Sequence, residues 1–204
     1  MSLERYRLSF TTGGLLLQES AIIAERYLAL LDWKITREQV RADNLLQVRT
    51  NAAATRISQE VIARLEFLSQ DELECLLDGG LRERGYLLWS AACRRYAIIR
   101  DFAVEVLREH YVSLRHQLTL NDYDAFFNGK AVWHAELDEL AMSTQRKLRQ
   151  NLFRMLREAD LLSDQSLIQP AMLTPRLAQL LAGRGHESLL VFPATDIDIQ
   201  RWLK

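Results

Sequence analysis

The chain predicts a mainly α-helical protein, with a helical N-terminal region containing a helix-turn-helix-like pair, then a winged-helix-like unit with a small β-hairpin. Three observations carry that expectation. Apolar residues recur at helical spacing over most of the 204 residues. Proline is absent until Pro170 and glycines number only 8, so little interrupts long helices. The stretch from Ser143 to Arg157 is amphipathic without a single acidic residue, and two short extended pieces around a polar turn follow it.

The elements follow in order. Thr11-Thr12-Gly13-Gly14 is a turn ahead of a helix to about Leu31, with Leu17, Ile22, Tyr27 and Leu31 on its apolar side. Thr36 with Gln39 reads as a capping box opening a short helix to about Leu46. Thr50 or Asn51 caps the next helix, whose stripe is Ile57, Val61, Leu65 and Leu68. These two helices, 36–68, form the helix-turn-helix-like pair, with the turn at Val48-Arg49-Thr50. Ser69 with Glu72 is a second capping box, and Asp78-Gly79-Gly80 stops that helix.

From 81 to 113 a central helix is expected, apolar on so wide an arc that neighbours must surround it, with a break near Arg100-Asp101. Arg94, Arg95 and Arg100 fit ion pairs around that helix. Leu118 to Asn121 starts a further helix, Tyr123, Phe126 and Phe127 form an aromatic cluster, and Asn128-Gly129 reads as a turn. A short helix near Ala135 to Ala141 leads into the basic helix. Leu162 to Pro170 reads as a hairpin or wing, and Thr174-Pro175 caps a helix to about Leu181. Ala182 to Glu187 reads as a linker, Leu189 to Phe192 as strand-like, and Ile197 to Leu203 as a short helix. The expected organisation is a helical domain over 1–115, a winged-helix-like domain over 116–181, and a linker and tail over 182–204.

Lys and Arg number 26 against 27 Asp and Glu, for a net charge of -1. Attraction to a polyanion must therefore come from a local patch. The basic helix supplies one. Leu148, Leu152, Met155, Leu156 and Ala159 share an apolar arc, while Arg146, Lys147, Gln150, Arg154 and Arg157 lie opposite, with Arg149 at the border. A helix that packs on one face and offers cations and amides on the other suits a phosphate backbone, with the wing touching the adjacent strand. A solvated surface helix is the bland alternative. The earlier pair offers Arg49, Asn51, Arg56 and Arg64, diluted by Glu60 and Glu66, and ordinary helix packing explains it about as well.

Other chemistries find little support. His134-Ala135-Glu136 resembles half of a zinc deaminase motif, but no Cys-x-x-Cys follows. The other histidines lack partners at metal-ligand spacing, and no phosphate-cradling glycine motif is present. Neither Cys75 nor Cys93 has a nucleophile setting; both read as free, buried thiols. No catalysis, cofactor or metal is expected. The longest apolar runs are far shorter than the roughly 18–20 residues of a membrane span, and the N-terminus with Glu4, Arg5 and Arg7 lacks a signal-peptide core. A cytoplasmic protein without membrane contact is expected.

With those residues laid out, the chain resembles the BrxA family, a small component of bacterial BREX phage-defence systems. The resemblance is carried by Tyr6 to Glu19, Asn44 to Thr50, Leu87 to His110, Asp122 to Lys130, Ser143 to Leu162 and Ile168 to Leu177. It implies a non-enzymatic, mostly helical protein that binds double-stranded DNA and supports phage resistance. The family is also described as similar to NusB-type antitermination proteins, which makes RNA the second candidate partner. Other BREX components are a third, through helical faces or the tail from Ser188. The family pattern places glycines where this chain has Asp160 and Gln165-Ser166.

Overall fold

Why the chain folds as a stack of helices is visible at its caps. The computed structural model describes residues 5–204, so the N-terminal reading at Glu4 lies outside the described residues. Helix α1 (Leu17–Leu30) is bracketed by Leu16 and Leu31, both with left-handed backbone, and no side chain caps its start. Helix α2 (Trp33–Ala42) starts earlier than expected. Asp32 accepts from the Ile35 N–H, while Thr36 is buried within the helix and donates its hydroxyl to the Asp32 carbonyl at 2.7 Å. The expected capping role of Thr36 is thereby corrected: an acidic cap one turn earlier outcompetes it.

Helix α3 (Asn51–Leu65) is capped by Thr50, whose hydroxyl accepts from the Ala53 N–H at 3.2 Å. Helix α4 (Gln70–Asp78) opens with the reciprocal Ser69–Glu72 capping box and stops at Gly79. Helices α1 to α4 pack on one another, and α5 (Leu81–Arg95) lies against α3 and α4. Every residue from Gly85 to Cys93 is buried, as the wide apolar arc requires.

The central element is not one helix over 81–113. It breaks at Tyr96, which is extended (φ -121°, ψ 98°) and buried, its hydroxyl donating to Glu60 at 2.6 Å. Three pieces continue it: α6 (Ala97–Phe102), a π-helical stretch (Ala103–Arg108) and α7 (Glu109–Val112). The break falls at Tyr96, where a long-range polar contact overrides a locally continuous pattern, and not at Arg100-Asp101.

Helix α8 (Leu120–Ala131) begins with a Thr119–Asp122 capping box and runs straight through Asn128-Gly129. The expected turn there is corrected: the Cβ position of Gly129 faces open space, so its glycine costs helix propensity without breaking the helix. After α9 (Ala135–Asp138) comes the basic helix α10 (Met142–Glu158), whose Leu148, Leu152, Met155, Leu156 and Ala159 are all buried as expected. Gly85 permits α5 to approach the end of α10, since a Cβ there would sit 3.2 Å from the Ala159 Cα and the Glu158 carbonyl.

Among the described residues, extended pairing is confined to two isolated antiparallel bridges, Leu162–Ile168 and Gln117–Leu167. Ser163 donates its N–H to the Leu167 carbonyl at 2.9 Å, and Gln169 to that of Leu161 at 3.0 Å. Pro170 has no N–H with which to extend the pairing. Helix α11 (Pro175–Ala182) has Thr174 as its cap and proline in its first turn.

The C-terminal segment is a correction. Leu189 to Phe192 is not a strand: a 3₁₀ turn (His186–Leu189) leads into buried turn residues, then α12 (Asp196–Trp202). Trp89 donates its indole N–H to the Val191 carbonyl at 2.9 Å, and the Phe192 ring meets Tyr86 edge-on. Burial of Leu189, Val191, Phe192 and Ile199 explains the apolar pattern that reads locally as a strand. One connected apolar core runs from Tyr6 to Ile199.

Candidate nucleic-acid interface

Helix α10 presents Arg146, Lys147, Gln150, Arg154 and Arg157 to solvent, with Arg149 half-buried at the edge. Its own sequence carries no acid between Ser143 and Arg157, but the fold supplies acids from elsewhere. Arg149 is ion-paired to Asp124 of α8, and Arg154 to Glu158 at 2.7 Å. Arg157 lies 6.0 Å from the Phe153 ring centroid. Among the described residues, Arg146 and Lys147 have no carboxylate within ion-pairing distance. Arg157 likewise has no carboxylate partner among the described residues, so the one-signed face is neutralised only at Arg149 and Arg154.

The cations of the 36–68 pair are divided. Arg49 and Asn51 are exposed at the start of α3, and Arg56 is exposed one turn on. Asn51 lines a shallow cleft with Arg41, Ala42 and Glu38. The connection between α2 and α3 runs from residue 43 to residue 50, longer than the 3–4-residue turn of a typical helix-turn-helix.

Arg64 is a correction. It is only 2% exposed, its guanidinium held by Glu60 (2.7 Å) and by the Gly14 carbonyl (2.7 Å). Val61 and Leu65 flank the Glu60–Arg64 pair on the buried side, which is the local signal that a count of cations overlooks. Replacing Arg64 by Ala leaves Glu60 charged and buried, a loss of about 3–5 kcal/mol. Thermal unfolding should show a drop of about 6–20 °C; a melting temperature within 2 °C of the parent protein would contradict it.

A loop missed as a functional element joins the two basic helices. Between Phe10 and Leu16 it receives three side chains from the body of the protein. Asn151 of α10 donates to the Phe10 carbonyl at 2.9 Å, Arg64 of α3 donates to Gly14, and Glu158 accepts the Leu15 N–H. Gly14 leaves room for the Glu158 carboxylate, since a Cβ there would lie 2.1 Å from one of its oxygens and the side chain would have to shift. The loop, α3 and α10 enclose a cleft of about 420 Å³ lined by Thr11, Thr12, Gly13, Leu16, Arg56, Ile57 and Lys147. A second groove, about 440 Å³, runs between α8 and α10 past Tyr123, Asp124, Asn128, Gln145, Arg146 and Arg149. Tyr123 is buried there, which pushes its phenol pKa up, and its hydroxyl has no hydrogen-bond partner.

The residues that resemble catalytic motifs have structural partners. His134 stacks on Tyr6 with ring centroids 4.0 Å apart, and its Nδ1 lies 3.2 Å from Glu136, which accepts the Tyr6 N–H. Burial opposes ionisation of Glu136, but these bonds hold its carboxyl below the usual range. Burial pushes the Cys93 thiol well up. Among the described residues, no group of three or more His, Cys, Asp or Glu is placed to hold a metal ion, and no helix is long and apolar enough to cross a membrane.

With that geometry in place, the comparison with known families is decisive for descent. The BrxA family model matches residues 4–185. This chain belongs to the BrxA family. Among similar BrxA proteins, one from Escherichia coli O9:H4 (strain HS), named "BREX protein BrxA", is 27% identical over 180 residues, covering 87% of this chain and 84% of that protein. Another of the same name, from Paramagnetospirillum magneticum, is 26% identical over 164 residues, covering 80% and 82%. A crystal structure of an uncharacterized protein from Magnetospirillum magneticum superposes with a TM-score of 0.77 at 22% identity, covering 92% of this chain and 97% of that one, so the fold is shared. At Asp160, and at Ser166 within the Gln165-Ser166 turn, where the resemblance leads one to expect glycines, the backbone is left-handed, φ 57° and φ 60°. Asp160 pairs with Arg82 at 3.0 Å across the surface.

Proposed function

We propose that this chain is a non-enzymatic, cytoplasmic component of a BREX phage-defence system that binds duplex DNA mainly through backbone phosphates. The observation that carries this reading is the meeting of the two cationic helices. Arg56 of α3 and Lys147 of α10 line one cleft, and Arg146, Gln150 and Arg154 continue the surface along α10. Membership of the BrxA family supplies the defence context and makes other BREX components its protein partners. In this reading α8, α9, α10, the bridged turn at 162–168 and α11 act as a winged unit, with α10 toward a groove and the turn toward the neighbouring strand.

RNA is the second reading, and one observation favours it. Trp133 is 73% exposed at the end of α8, where its ring is free to stack on an unpaired base. An adaptor role through strand pairing at Leu189 to Phe192 loses support, because Leu189, Val191 and Phe192 are buried in the protein's own core, whereas Ile197 and Leu203 further along the tail stay exposed.

A salt-titrated binding assay separates the first two. Duplex DNA should bind more tightly than single strands or structured RNA, with the logarithm of affinity falling linearly with that of salt, by about 0.9 per phosphate contact. Structured RNA that displaces duplex DNA at much lower concentration would reverse the order. A companion result concerns Arg149. Changing Asp124 to Asn removes the carboxylate that holds this guanidinium, and should strengthen duplex binding severalfold; weaker binding would assign the pair a positioning role instead.

A further inference from the structure

We infer that the cleft walled by Thr11, Thr12, Gly13, Arg56 and Lys147 seats a single backbone phosphate, gripped from both sides by α3 and α10. The inference rests on the duplex-DNA reading above and gives it a specific point of attachment.

The chemistry of the lining sets this cleft apart. The groove between α8 and α10 contains Asp124, and the cleft near Cys93 balances Arg94, Arg100 and Arg184 against Glu187 and the adjoining Glu72 and Asp101. Among the described residues, none lining the loop cleft carries a carboxylate. Its polar groups are the two threonine hydroxyls, one guanidinium and one ammonium, all capable of donating to a phosphate oxygen. Among the described residues neither Arg56 nor Lys147 is ion-paired, and neither threonine hydroxyl has a hydrogen-bond partner.

The two carboxylates nearest this network are both engaged. Glu60 is bound by Arg64 and Tyr96, and Glu158 by Arg154 and the Leu15 N–H. Leu16 and Ile57 form an apolar floor. Such a floor lowers the local dielectric and strengthens the attraction between a phosphate and the two cations. Gly13 has φ +67°, and a Cβ there would meet Leu16 at 2.9 Å, so the loop presents bare backbone at the wall of the cleft. The clamps from Asn151, Arg64 and Glu158 hold this arrangement without a ligand.

A shared phosphate has a signature that two separate contacts lack. Arg56→Gln, Lys147→Gln and their combination are to be measured on the full chain, with a duplex of about 20 base pairs over a range of NaCl concentrations. Each single change should weaken binding about tenfold and lower the salt slope by about one. The double change should weaken binding by much less than the product of the singles, with the slope still lowered by about one. Thr12→Val should cost a few-fold with an unchanged slope. Multiplicative losses with a slope lowered by two would overturn the shared seat, as would silence of all three substitutions. Arg146→Glu with Arg154→Glu keeps the two ideas apart. If that pair abolishes binding while the cleft variants are silent, only the seat is wrong; if it too is silent, the duplex-DNA reading fails. Unchanged melting temperatures confirm that the exposed substitutions leave the fold intact.

Discussion

Reversing two charges, Arg146→Glu together with Arg154→Glu, should abolish duplex binding near physiological salt. The two positions are about 12 Å apart along one helix face, at 1.5 Å rise per residue, so they reach different phosphates. Loss of two charge-assisted contacts at about 1.5–3 kcal/mol each amounts to at least about a hundredfold in Kd, and the new carboxylates add repulsion. The two halves are unequal. Arg154 already shares its charge with Glu158, whereas Arg146 is unpaired among the described residues, so Arg146→Glu alone should be the more damaging single change. Gel shifts or anisotropy check both statements. Binding that survives the double reversal would show that α10 does not face the nucleic acid. A thermal melt is the needed control, because Glu158 also holds the Leu15 N–H.

The second large effect lies far from the charges. A chain ending at Gly185 should fail to fold, although it retains all of the segment that matches the family model. The missing part contributes Leu189, Val191, Phe192 and Ile199 to the core. At about 1.5–3 kcal/mol for each fully buried side chain, their loss is roughly 6–12 kcal/mol, comparable with the about 5–15 kcal/mol that keeps a typical domain folded. Trp89 would also lose the acceptor for its buried N–H. The expected result is an insoluble product, or a broad melt with exposed apolar surface. A sharp transition within a few degrees of the full chain would refute it. Phe192→Ala tests the same packing more gently, with an expected loss of about 3–5 kcal/mol.

These two experiments divide what could be read locally from what could not. Ser69, Thr119 and Thr174 were legible as helix starts because a cap bonds to an N–H within three residues. The apolar arc of α10 was legible because one face of a regular helix repeats in the sequence itself. Thr36 misled because Asp32 lay just upstream and its carboxylate won the cap. Tyr96 misled because its partner Glu60 comes from a distant helix, and Arg64 because the Gly14 carbonyl comes from a distant loop; only its pairing with Glu60, one turn back, is local. Arg149 is the same lesson in the candidate site: its counter-charge, Asp124, stands on another helix. The cleft residues Thr11 and Thr12 looked like turn chemistry alone, since the cations that give them a companion role lie some 45 and 135 positions further along.

Because Asn151, Arg64 and Glu158 hold the loop from Phe10 to Leu16 from two helices, the spacing between the backbones that carry Arg56 and Lys147 is set before any partner arrives. The ordering cost of that spacing is met during folding, so encounter requires no rearrangement, and association should run at the fast end of the usual range. A fixed gap also behaves as a ruler. A stiff double helix presents its phosphates at set intervals and either fits or does not, while a supple strand gains nothing from the protein's rigidity. Loosening the loop should therefore blunt discrimination between stiff and supple polymers before it weakens attachment to either.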